Sequence, residues 1–548
     1  MDDERSDSLQ HGVLNVIAQS AAAEGFSSFT AAAAVLAIGM LIWDTIEVGR
    51  NDAANIVNSV FGSRILSRKM AVRIAAIGVI LGATLSSDVI ETARRGIFSP
   101  EAFGVREVLA IYTSVYIVDT ILLYTYSAFG MPVSTTMTLI FELLGASLFL
   151  GVFRSPESIH AVTWGGVVKV LVAIVCSIFL SGVMGFIIQR FARAAIRDKW
   201  SSLPQLLLYG GLVGGGLMAG LAYFMLIKGM KNVSLIKPLV SVIKSSPYEG
   251  PILALLAMWV VFGILIHLTL IIYRRRAAEL LFPVLTVLGM LGMAFSFGQN
   301  DLANCAAPGL AALKVVSGVY QNQPIEDISR ANIPWWALFG SGVLLVMGMM
   351  TDHAQRVTRA EVRMGSAGHH VKLWAPNWCI TIARRILARG RGGEVMPSLA
   401  PIETKNVRGK TLHYDPLRAC VIVCVSASVI ATASALGMPV STTYVAFAAV
   451  IATGAADRIF VRGDAALKLG RSIWVVFCWF AAALIAMIAA GLVSLVVFYL
   501  GVIGMATCII VNLFIRGHVK RRSDAQEHRV RLEARERMHP EEYSLEEE

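Results

Sequence analysis

Charged side chains are scarce in this chain. Asp, Glu, Lys and Arg make up 16% of its 548 residues, whereas 56% of the residues are hydrophobic. A soluble domain usually carries about 25% charged residues. Apolar runs long enough to cross a bilayer, about 18 residues or more, recur along almost the whole sequence. These features exclude an ordinary soluble protein and predict a polytopic membrane protein.

Cysteines are also few, and other signatures are missing. The seven cysteines are an odd set that lies mostly inside apolar runs, so we interpret them as packing residues and not as a disulfide or metal framework. The acidic start at 1–7 lacks the basic region of a cleaved signal peptide. No nucleophile–base set is visible. We therefore expect no enzymatic activity and no cofactor.

The basic residues are unevenly distributed. The formal net charge of +11 could indicate a nucleic-acid partner. The basic residues cluster in loops between apolar segments, where Lys and Arg mark the cytoplasmic side of a membrane protein. We therefore expect a lipid bilayer as partner and no nucleic acid. The loop charges predict a multi-pass protein of the cell (inner or plasma) membrane with its N-terminus outside.

Hydropathy predicts an all-α fold with about 12 transmembrane segments. We expect these segments at 27–62, 70–87, 104–128, 131–153, 164–189, 205–227, 251–273, 278–312, 333–351, 417–436, 438–456 and 471–515, the last being long enough for two.

The segments group into two transmembrane repeats with additional parts. In chain order we expect an extramembrane N-terminal segment, repeat 1, connecting helices, the first part of repeat 2, a cytoplasmic basic insert, the second part of repeat 2 and a charged cytoplasmic tail. Their ranges are 1–26, 27–189, 190–277, 278–351, 352–416, 417–515 and 516–548. Within the insert, 374–389 predicts an amphipathic helix on the membrane surface.

Two motifs occur twice, which indicates a duplicated unit. Gly-Arg-Asn-Asp-Ala-Ala-Asn at 49–55 resembles Gly-Gln-Asn-Asp-Leu-Ala-Asn at 298–304, and Gly-Met-Pro-Val-Ser-Thr-Thr is identical at 130–136 and 437–443. An odd number of predicted crossings separates the two Asn-Asp motifs, so the second enters the membrane from the opposite side. The pattern predicts two inverted repeats that build one site together.

The Gly-Met-Pro motif predicts a break in an apolar run. Proline lacks an amide hydrogen, and lipid cannot satisfy the freed backbone, so the break should face protein or a water-filled cavity. Proline followed by Ser-Thr-Thr is typical of a helix start with the proline at an early helical position. The N-terminus of such a broken or re-entrant half-helix binds anions. The alternative is one Pro-kinked helix whose hydroxyls bond back to carbonyls. The candidate substrate ligands are Ser134, Thr135, Thr136, Ser441, Thr442 and Thr443.

The Asn-Asp motifs place carboxylates inside the membrane, where they are costly and typically bind an ion or a substrate. Asp52 and Asn55 lie three residues apart, hence on one helical face, as do Asp301 and Asn304. These four residues are the candidate cation ligands, and the two aspartates would bind the metal ion if the coupling ion is Na⁺. A cation or proton between carboxylate and anion links the binding of the two, which is the thermodynamic basis of symport.

Arg50 precedes the first Asn-Asp pair and has two interpretations. Its guanidinium could bind the substrate anion. Alternatively, Arg50 and Glu47 neutralise each other, since they lie three residues apart on a helix.

Three other acids lie in predicted membrane segments: Asp44, Asp119 and Glu142. They have no acidic counterpart in the second repeat, so any proton or cation path that uses them is asymmetric. The matching positions are Met293, Ser426 and Ala449.

At the two repeated motifs the chain resembles the inorganic phosphate transporter (PiT) family. That family's signature is a repeated Gly-x-Asn-Asp-x-x-Asn followed by Pro-Val-Ser-Thr-Thr, and both elements occur twice here, in the same order, over roughly 30–515. The resemblance implies an inverted-repeat symporter of inorganic phosphate with Na⁺ or H⁺. It also implies that Asn51 and Asn300 bind the substrate and, with the candidate ligands of both motifs, line one central phosphate and cation site.

The chain departs from the family at a few positions. Arg50 and Gln299 stand where the family usually has a small residue, and Met137 and Tyr444 stand where a histidine often follows the Thr-Thr pair. Some relatives carry sulfate. A permease for sulfate or another oxyanion, and an anion channel, therefore remain alternatives to a phosphate symporter that works by alternating access. The sequence does not fix the oligomeric state, and a homodimer is one candidate.

Overall fold

The computed structural model describes residues 28–86, 96–154, 160–231, 233–245, 249–320, 334–366, 373–389, 412–461 and 464–538. Within these ranges the chain is almost entirely helical, and the β-type pairing is one isolated antiparallel bridge between Phe98 and Val162. The predicted all-α fold is confirmed for this part of the chain. The predicted N-terminal segment, 1–26, lies outside the described residues.

Most of the long α-helices coincide with predicted segments, although the helix Glu249–Tyr320 covers two of them and the last helix, Ala465–Met538, extends well beyond its own. In chain order they are α1 Ser28–Gly62, α2 Arg68–Thr84, α3 Val105–Ala128, α4 Thr135–Arg154, α5 Trp164–Ile196, α6 Leu203–Ala222, α7 Lys237–Lys244, α8 Glu249–Tyr320, α9 Trp335–Met349, α10 Asp352–Met364, α11 Asn377–Arg389, α12 Pro416–Ala435, α13 Thr442–Ala456 and α14 Ala465–Met538. α6 continues as a π-helix over Tyr223–Gly229.

Eight of these helices are long and apolar enough to cross a membrane: α1, α3, α4, α5, α6 with its π-helical extension, α8, α12 and α14. Counting the bent pair α9–α10 as one span gives nine. Arg274 in α8 and Gly501 in α14 have left-handed φ angles of 44° and 58°, so each of these long helices is two helices joined at a break. The number of about 12 spans and the inverted orientation of the repeats stay predictions.

The outer surface of the helices is apolar. Val175 and Phe179 on α5, Ile264 on α8 and Phe514 on α14 each expose more than half of their surface. Such large contiguous apolar surface is unfavourable in water but suits lipid tails. The polar motif residues, by contrast, are buried between helices.

The helices that carry the Asn-Asp motifs cross between the repeats. α1 packs against α9, and α8 packs against α2. The glycine that opens each Asn-Asp motif makes this approach possible. A Cβ atom on Gly49 would overlap the carbonyl oxygen of Leu345, and one on Gly298 would overlap that of Val79. Small residues at such crossings allow the helix backbones to touch.

The predicted basic insert contains two helices in its described part. α11 corresponds to the predicted amphipathic helix: Cys379 and Ala383 are buried, whereas Trp378 and Ile386 are exposed. α10 was not predicted from hydropathy. It packs against α1, because its apolar face, which includes Val357, is buried. Residues 390–411 of the insert lie outside the described residues.

The predicted tail begins inside a helix. α14 continues past 516 to Met538, and this extension contacts α10. Arg356 pairs with Asp524 at 2.5 Å and with Glu527 at 2.8 Å. The charged residues of the extension therefore hold α10 as well as facing solvent.

Candidate functional site

Each Asn-Asp motif bonds to the break in the same repeat. Asn51 Nδ2 donates to the Val133 carbonyl at 2.7 Å, and Asn300 Nδ2 donates to the Val440 carbonyl at 2.6 Å. The two contacts join equivalent positions of the repeats. The structure thus brings the two predicted motifs together, twice, with the same geometry.

The Gly-Met-Pro motifs form the predicted breaks. Gly130 and Gly437 both have a φ of +64°, a left-handed conformation that favours glycine. α4 and α13 begin a few residues later. The serine before each helix, Ser134 or Ser441, accepts a hydrogen bond from the backbone N–H three residues on, at 3.1 Å in both repeats. Both serines therefore cap a helix N-terminus.

The predicted position of the proline is wrong. Pro132 lies before α4 and not in its first turn, since the helix begins at Thr135. The non-helical residues between α3 and α4 offer their carbonyls to side chains: Asn51 binds that of Val133, and Trp479 Nε1 donates to that of Pro132 at 3.2 Å. The chain leaves one helix and starts another here, so the alternative of a single kinked helix is not observed.

The two repeats also contact each other at this point. Asn55 Nδ2 donates to Thr443 Oγ1 at 3.0 Å, and Asn304 Nδ2 donates to Thr136 Oγ1 at 3.0 Å. These pairs are again equivalent positions, with each asparagine in one repeat and its threonine in the other. The N-termini of α4 and α13 consequently lie side by side.

Asp52 is surrounded by donors. Its Oδ1 accepts from Asn51 at 2.9 Å, from Asn55 at 3.0 Å and from Thr443 at 2.9 Å. Its Oδ2 lies 3.3 Å from Thr135 Oγ1. Both carboxylate oxygens therefore have a hydrogen-bond partner.

Asp301 is less completely satisfied. Its Oδ1 accepts from Asn304 at 2.8 Å and from Asn300 at 3.4 Å, and lies 3.3 Å from Thr135 Oγ1. Its Oδ2 has no hydrogen-bond partner. One threonine hydroxyl, with a single hydrogen, thus lies between the carboxylates of Asp52 and Asp301.

The site is closed to solvent and rich in unpaired oxygens. All twelve motif ligands predicted in the two repeats are at most 2% exposed, including Thr442 in the first turn of α13. Five of their oxygens are buried without a hydrogen-bond partner: Asn51 Oδ1, Asn55 Oδ1, Asp301 Oδ2, Asn304 Oδ1 and Thr442 Oγ1. Buried oxygens without donors are unfavourable, and a hard cation, which prefers oxygen ligands, would satisfy them.

Arg50 lies apart from these ligands. Its Nη1 donates to both carboxylate oxygens of Glu47, at 3.0 and 2.8 Å, and its Nε donates to Thr351 Oγ1 at 3.3 Å. Arg516 donates to Glu47 as well, at 2.6 Å. These contacts match the interpretation in which Arg50 and Glu47 neutralise each other. Binding of the substrate by Arg50 stays a prediction.

Sequence reasoning missed the backbone acceptors of the site. The carbonyls of Val133 and Val440 bind the motif asparagines, and they also accept hydrogen bonds from Thr443 and Thr136, at 3.2 and 3.0 Å. A carbonyl has no sequence signature of its own. The available signal was the exact repetition of the valine after each proline.

The helices are long enough to cross a membrane, and they surround one buried polar site to which the two repeats contribute the same residues. This combination defines a membrane transport protein. The model of the phosphate transporter family matches residues 48–360 and 404–524 of this chain. These ranges cover most of the sequence. The chain belongs to the phosphate transporter family and is a multi-pass membrane protein.

The individual relatives have low sequence identity to this chain, but the similarity covers nearly their full length. The chain is similar to a "Putative phosphate permease" of Pyrococcus horikoshii, with 25% identity over 85% of this chain and 97% of the relative. A protein of Chlamydia trachomatis with the same description is 26% identical over 83% of this chain and 94% of the relative. Among solved structures, "The sodium-dependent phosphate transporter" is similar with a TM-score of 0.61 and 20% identity, over 85% of this chain and 98% of that one. At this identity the structural likeness shows the fold.

Proposed function

We propose that this protein is a symporter that carries inorganic phosphate together with a cation by alternating access. Family membership supports phosphate as the substrate. The coupling to a cation and the transport cycle are argued from the geometry of the site.

The observation that carries the proposal is the position of Thr135 between two buried carboxylates. Its Oγ1 lies 3.3 Å from Asp52 Oδ2 and 3.3 Å from Asp301 Oδ1. One hydrogen cannot serve both oxygens at once, and two buried carboxylates in close proximity repel each other. A cation or a proton between them removes both problems. Binding of an anion nearby then favours binding of that cation, which is coupling.

The anion site is formed by the two helix starts. α4 and α13 lie with their N-termini together, because Thr136 reaches the carbonyl of Val440 and Thr443 reaches that of Val133. Free N–H groups and the positive ends of two helix dipoles point into one region. The hydroxyls of Ser134 and Ser441 add donors from both sides. A phosphate placed there meets donors from both repeats.

The burial of the ligands supports alternating access. With exposures of at most 2%, no side chain of the site is reachable from either side of the membrane without movement of helices. Two inverted repeats around one site provide such a movement, since each can open toward its own side while the other stays closed. A channel would need a continuous path through the same residues.

Sodium is the first candidate for the coupling ion. The five unpaired oxygens are of the type that a hard cation binds, and the structural neighbour is described as sodium-dependent. A proton on one of the two aspartates is the alternative. Asp52 and Asp301 are the central residues in either case, with Asn55 and Asn304 beside them.

The experiment is uptake of labelled phosphate into proteoliposomes with imposed Na⁺ or H⁺ gradients. We expect accumulation of phosphate above its external concentration when one of the gradients is directed inward. Uptake that only equilibrates phosphate would indicate a channel and contradict the proposal. Unlabelled sulfate that competes as well as unlabelled phosphate would favour an oxyanion permease of broader selectivity.

A further inference from the structure

Three acidic side chains outside the Asn-Asp motifs are buried in the first repeat. Asp44 lies on α1, Asp119 on α3 and Glu142 on α4, with exposed fractions of 1%, 2% and 0%. Asp44, Asp119 and Glu142 all lie within electrostatic range of one another. These residues form one group where α1, α3 and α4 meet, which we name the carboxyl cluster.

The carboxyl cluster has few donors. Neither oxygen of Asp44 and neither oxygen of Glu142 accepts a hydrogen bond from an N–H or hydroxyl group. Glu47, one turn from Asp44, is different, since Arg50 and Arg516 both form ion pairs with it. A buried carboxylate with neither donor nor counter-ion is strongly unfavourable. The cluster must therefore bind a positive charge that is not a side chain of its immediate surroundings.

The other titratable groups that face the cluster do not supply that charge. They are Glu47 and Asp52 on α1, Tyr116 on α3 and Cys305 on α8. The Tyr116 hydroxyl is already engaged: it donates to the Cys305 carbonyl at 2.7 Å and accepts from the Gly309 N–H at 2.7 Å. In the part of the chain that the structure describes, no set of His, Cys, Asp and Glu has the arrangement of a metal site. A proton needs no further ligands and fits the cluster.

Thr138 connects the cluster to the first turn of α4. Its Oγ1 lies 3.0 Å from Asp119 Oδ1, 3.2 Å from the Ser134 carbonyl and 3.0 Å from the Thr135 carbonyl. The hydroxyl has one hydrogen. When Asp119 is ionised, Thr138 donates to it. When Asp119 carries a proton, it can donate to Thr138, and the threonine hydrogen turns to the carbonyls of α4.

We propose that the carboxyl cluster is a proton-binding site, separate from the cation site at Asp52 and Asp301, and that Thr138 transmits its protonation to the anion site at the start of α4. This inference rests on the proposed function, because it concerns how protons act on phosphate transport. The second repeat has no equivalent cluster, since the matching positions are Met293, Ser426 and Ala449. The proton dependence is a property of the first repeat alone.

Infrared difference spectroscopy of the purified full-length protein tests the proton site without requiring transport. We expect the C=O stretching band of protonated carboxylic acids at neutral pH, and a decrease of this band when the pH of the buffer is raised. Asp119→Asn and Glu142→Gln should each remove part of this band. Ser426→Ala, at the matching position of repeat 2, is the control and should leave it unchanged. Absence of the band from the wild-type protein, or a band that both carboxyl variants leave intact, would overturn the proposal.

Uptake in proteoliposomes tests the transmission to the anion site. At a fixed Na⁺ gradient, an added inward proton gradient should raise phosphate accumulation, by up to about tenfold per pH unit for one coupled proton. We expect Asp119→Asn to lose this stimulation and Ser426→Ala to keep it. Full stimulation of uptake by the proton gradient in Asp119→Asn, or no stimulation in the wild-type protein, refutes the role of the cluster. Phosphate uptake driven by Na⁺ would still support the proposed function in that case. Failure of all phosphate uptake, with the infrared band behaving as expected, refutes the proposed function and leaves the proton site standing.

Discussion

The two repeats contribute the same residues to one site, yet their aspartates have different surroundings. Thr443 of the second repeat lies within hydrogen-bonding distance of Asp52 Oδ1, at 2.9 Å, and also of the Val133 carbonyl, at 3.2 Å, whereas its counterpart Thr136 donates to the carbonyl of Val440. Asp52 consequently has partners on both oxygens, and Asp301 has one oxygen without any. Identical motifs thus produce equivalent backbone geometry but unequal hydrogen bonding of the two carboxylates, and we propose the open oxygen of Asp301 as the place for a cation or proton.

The largest expected effect comes from neutralising the two aspartates. Asp301→Asn should abolish coupled uptake but leave the fold intact, because the remaining oxygen keeps its donors and the new amide replaces an oxygen that has no partner. Asp52→Asn should also abolish coupled uptake. It should in addition lower the free energy of unfolding by about 1–3 kcal/mol, since an amide nitrogen would face donors. Uptake assays and thermal melting in detergent measure the two effects.

The control for this pair is Glu279→Gln, which removes an exposed carboxylate that pairs with Arg275. It should insert, melt and transport as the wild-type protein does. Accumulation at the wild-type level in both aspartate variants would show that neither residue binds the coupling ion.

The sequence predicted those parts of this comparison that depend on local patterns. Hydropathy predicted most of the long helices, although the last one continues to Met538, well beyond its predicted segment, and the repeated motifs predicted one site built from both repeats. The position of Pro132 was misjudged because side chains distant in sequence hold the extended carbonyls before α4. Those contacts leave no periodic signal in the chain.

Long-range polar contacts were the other features that the sequence did not indicate. α10 has a mixed composition that resembles a cytoplasmic loop, and its burial depends on α1 and on the end of α14. The inequality of Asp52 and Asp301 depends on which acceptors each threonine reaches across the repeat boundary, since Thr443 reaches Asp52 as well as the carbonyl of Val133. Such a choice follows from helix placement, and the two threonine motifs are identical in sequence.

The second prediction uses the open oxygen of Asp301 to discriminate between oxyanions. At neutral pH phosphate still carries a proton, which can be donated to a second lone pair of Asp301 Oδ2 beside the bound Na⁺, whereas sulfate has none to donate. Sulfate would place its oxygens against a buried carboxylate without a hydrogen between them. We expect phosphate to be preferred by about a hundredfold or more. Arsenate, which has a similar shape and protonation, should inhibit.

Competition against labelled phosphate checks this preference. Arsenate should displace the label at concentrations comparable to those of unlabelled phosphate. If sulfate displaces the label as effectively as arsenate, the discrimination by the aspartate is absent and an oxyanion permease becomes the better interpretation.

The third prediction concerns the two serines that occupy equivalent positions in the two repeats. Ser134→Ala and Ser441→Ala each remove one hydroxyl donor at a helix start, and a hydrogen bond to a charged group contributes roughly 1.5–3 kcal/mol. We therefore expect the KM for phosphate to rise about tenfold or more in each variant, and to a similar extent. The matched control is Ser147→Ala on the same helix, whose buried hydroxyl bonds to the carbonyl of Leu143 at 2.7 Å. An unchanged KM in both variants would mean that the serines only cap their helices.

The smallest expected effect is at the one position where the two Asn-Asp motifs differ in charge, Arg50 against Gln299. Gln299 Nε2 donates to the carbonyl of Gly229 at 3.0 Å, and Arg50 pairs with Glu47, so neither side chain contacts the site ligands. Arg50→Gln makes the first motif resemble the second. It should leave the KM for phosphate within about twofold of the wild-type value.

Stability provides the second measurement on the same variant. In Arg50→Gln, Glu47 keeps Arg516 as a partner at 2.6 Å, so the melting temperature should fall only modestly. The double variant Arg50→Gln with Arg516→Gln leaves Glu47 buried without either arginine, and its melting temperature should fall much more. Arg516→Gln alone is the matched control for the loss of one partner. A guanidinium that only pairs with Glu47 affects stability and not the affinity for the anion. A tenfold rise of the KM in Arg50→Gln with an unchanged melting temperature would therefore show that Arg50 binds the substrate anion.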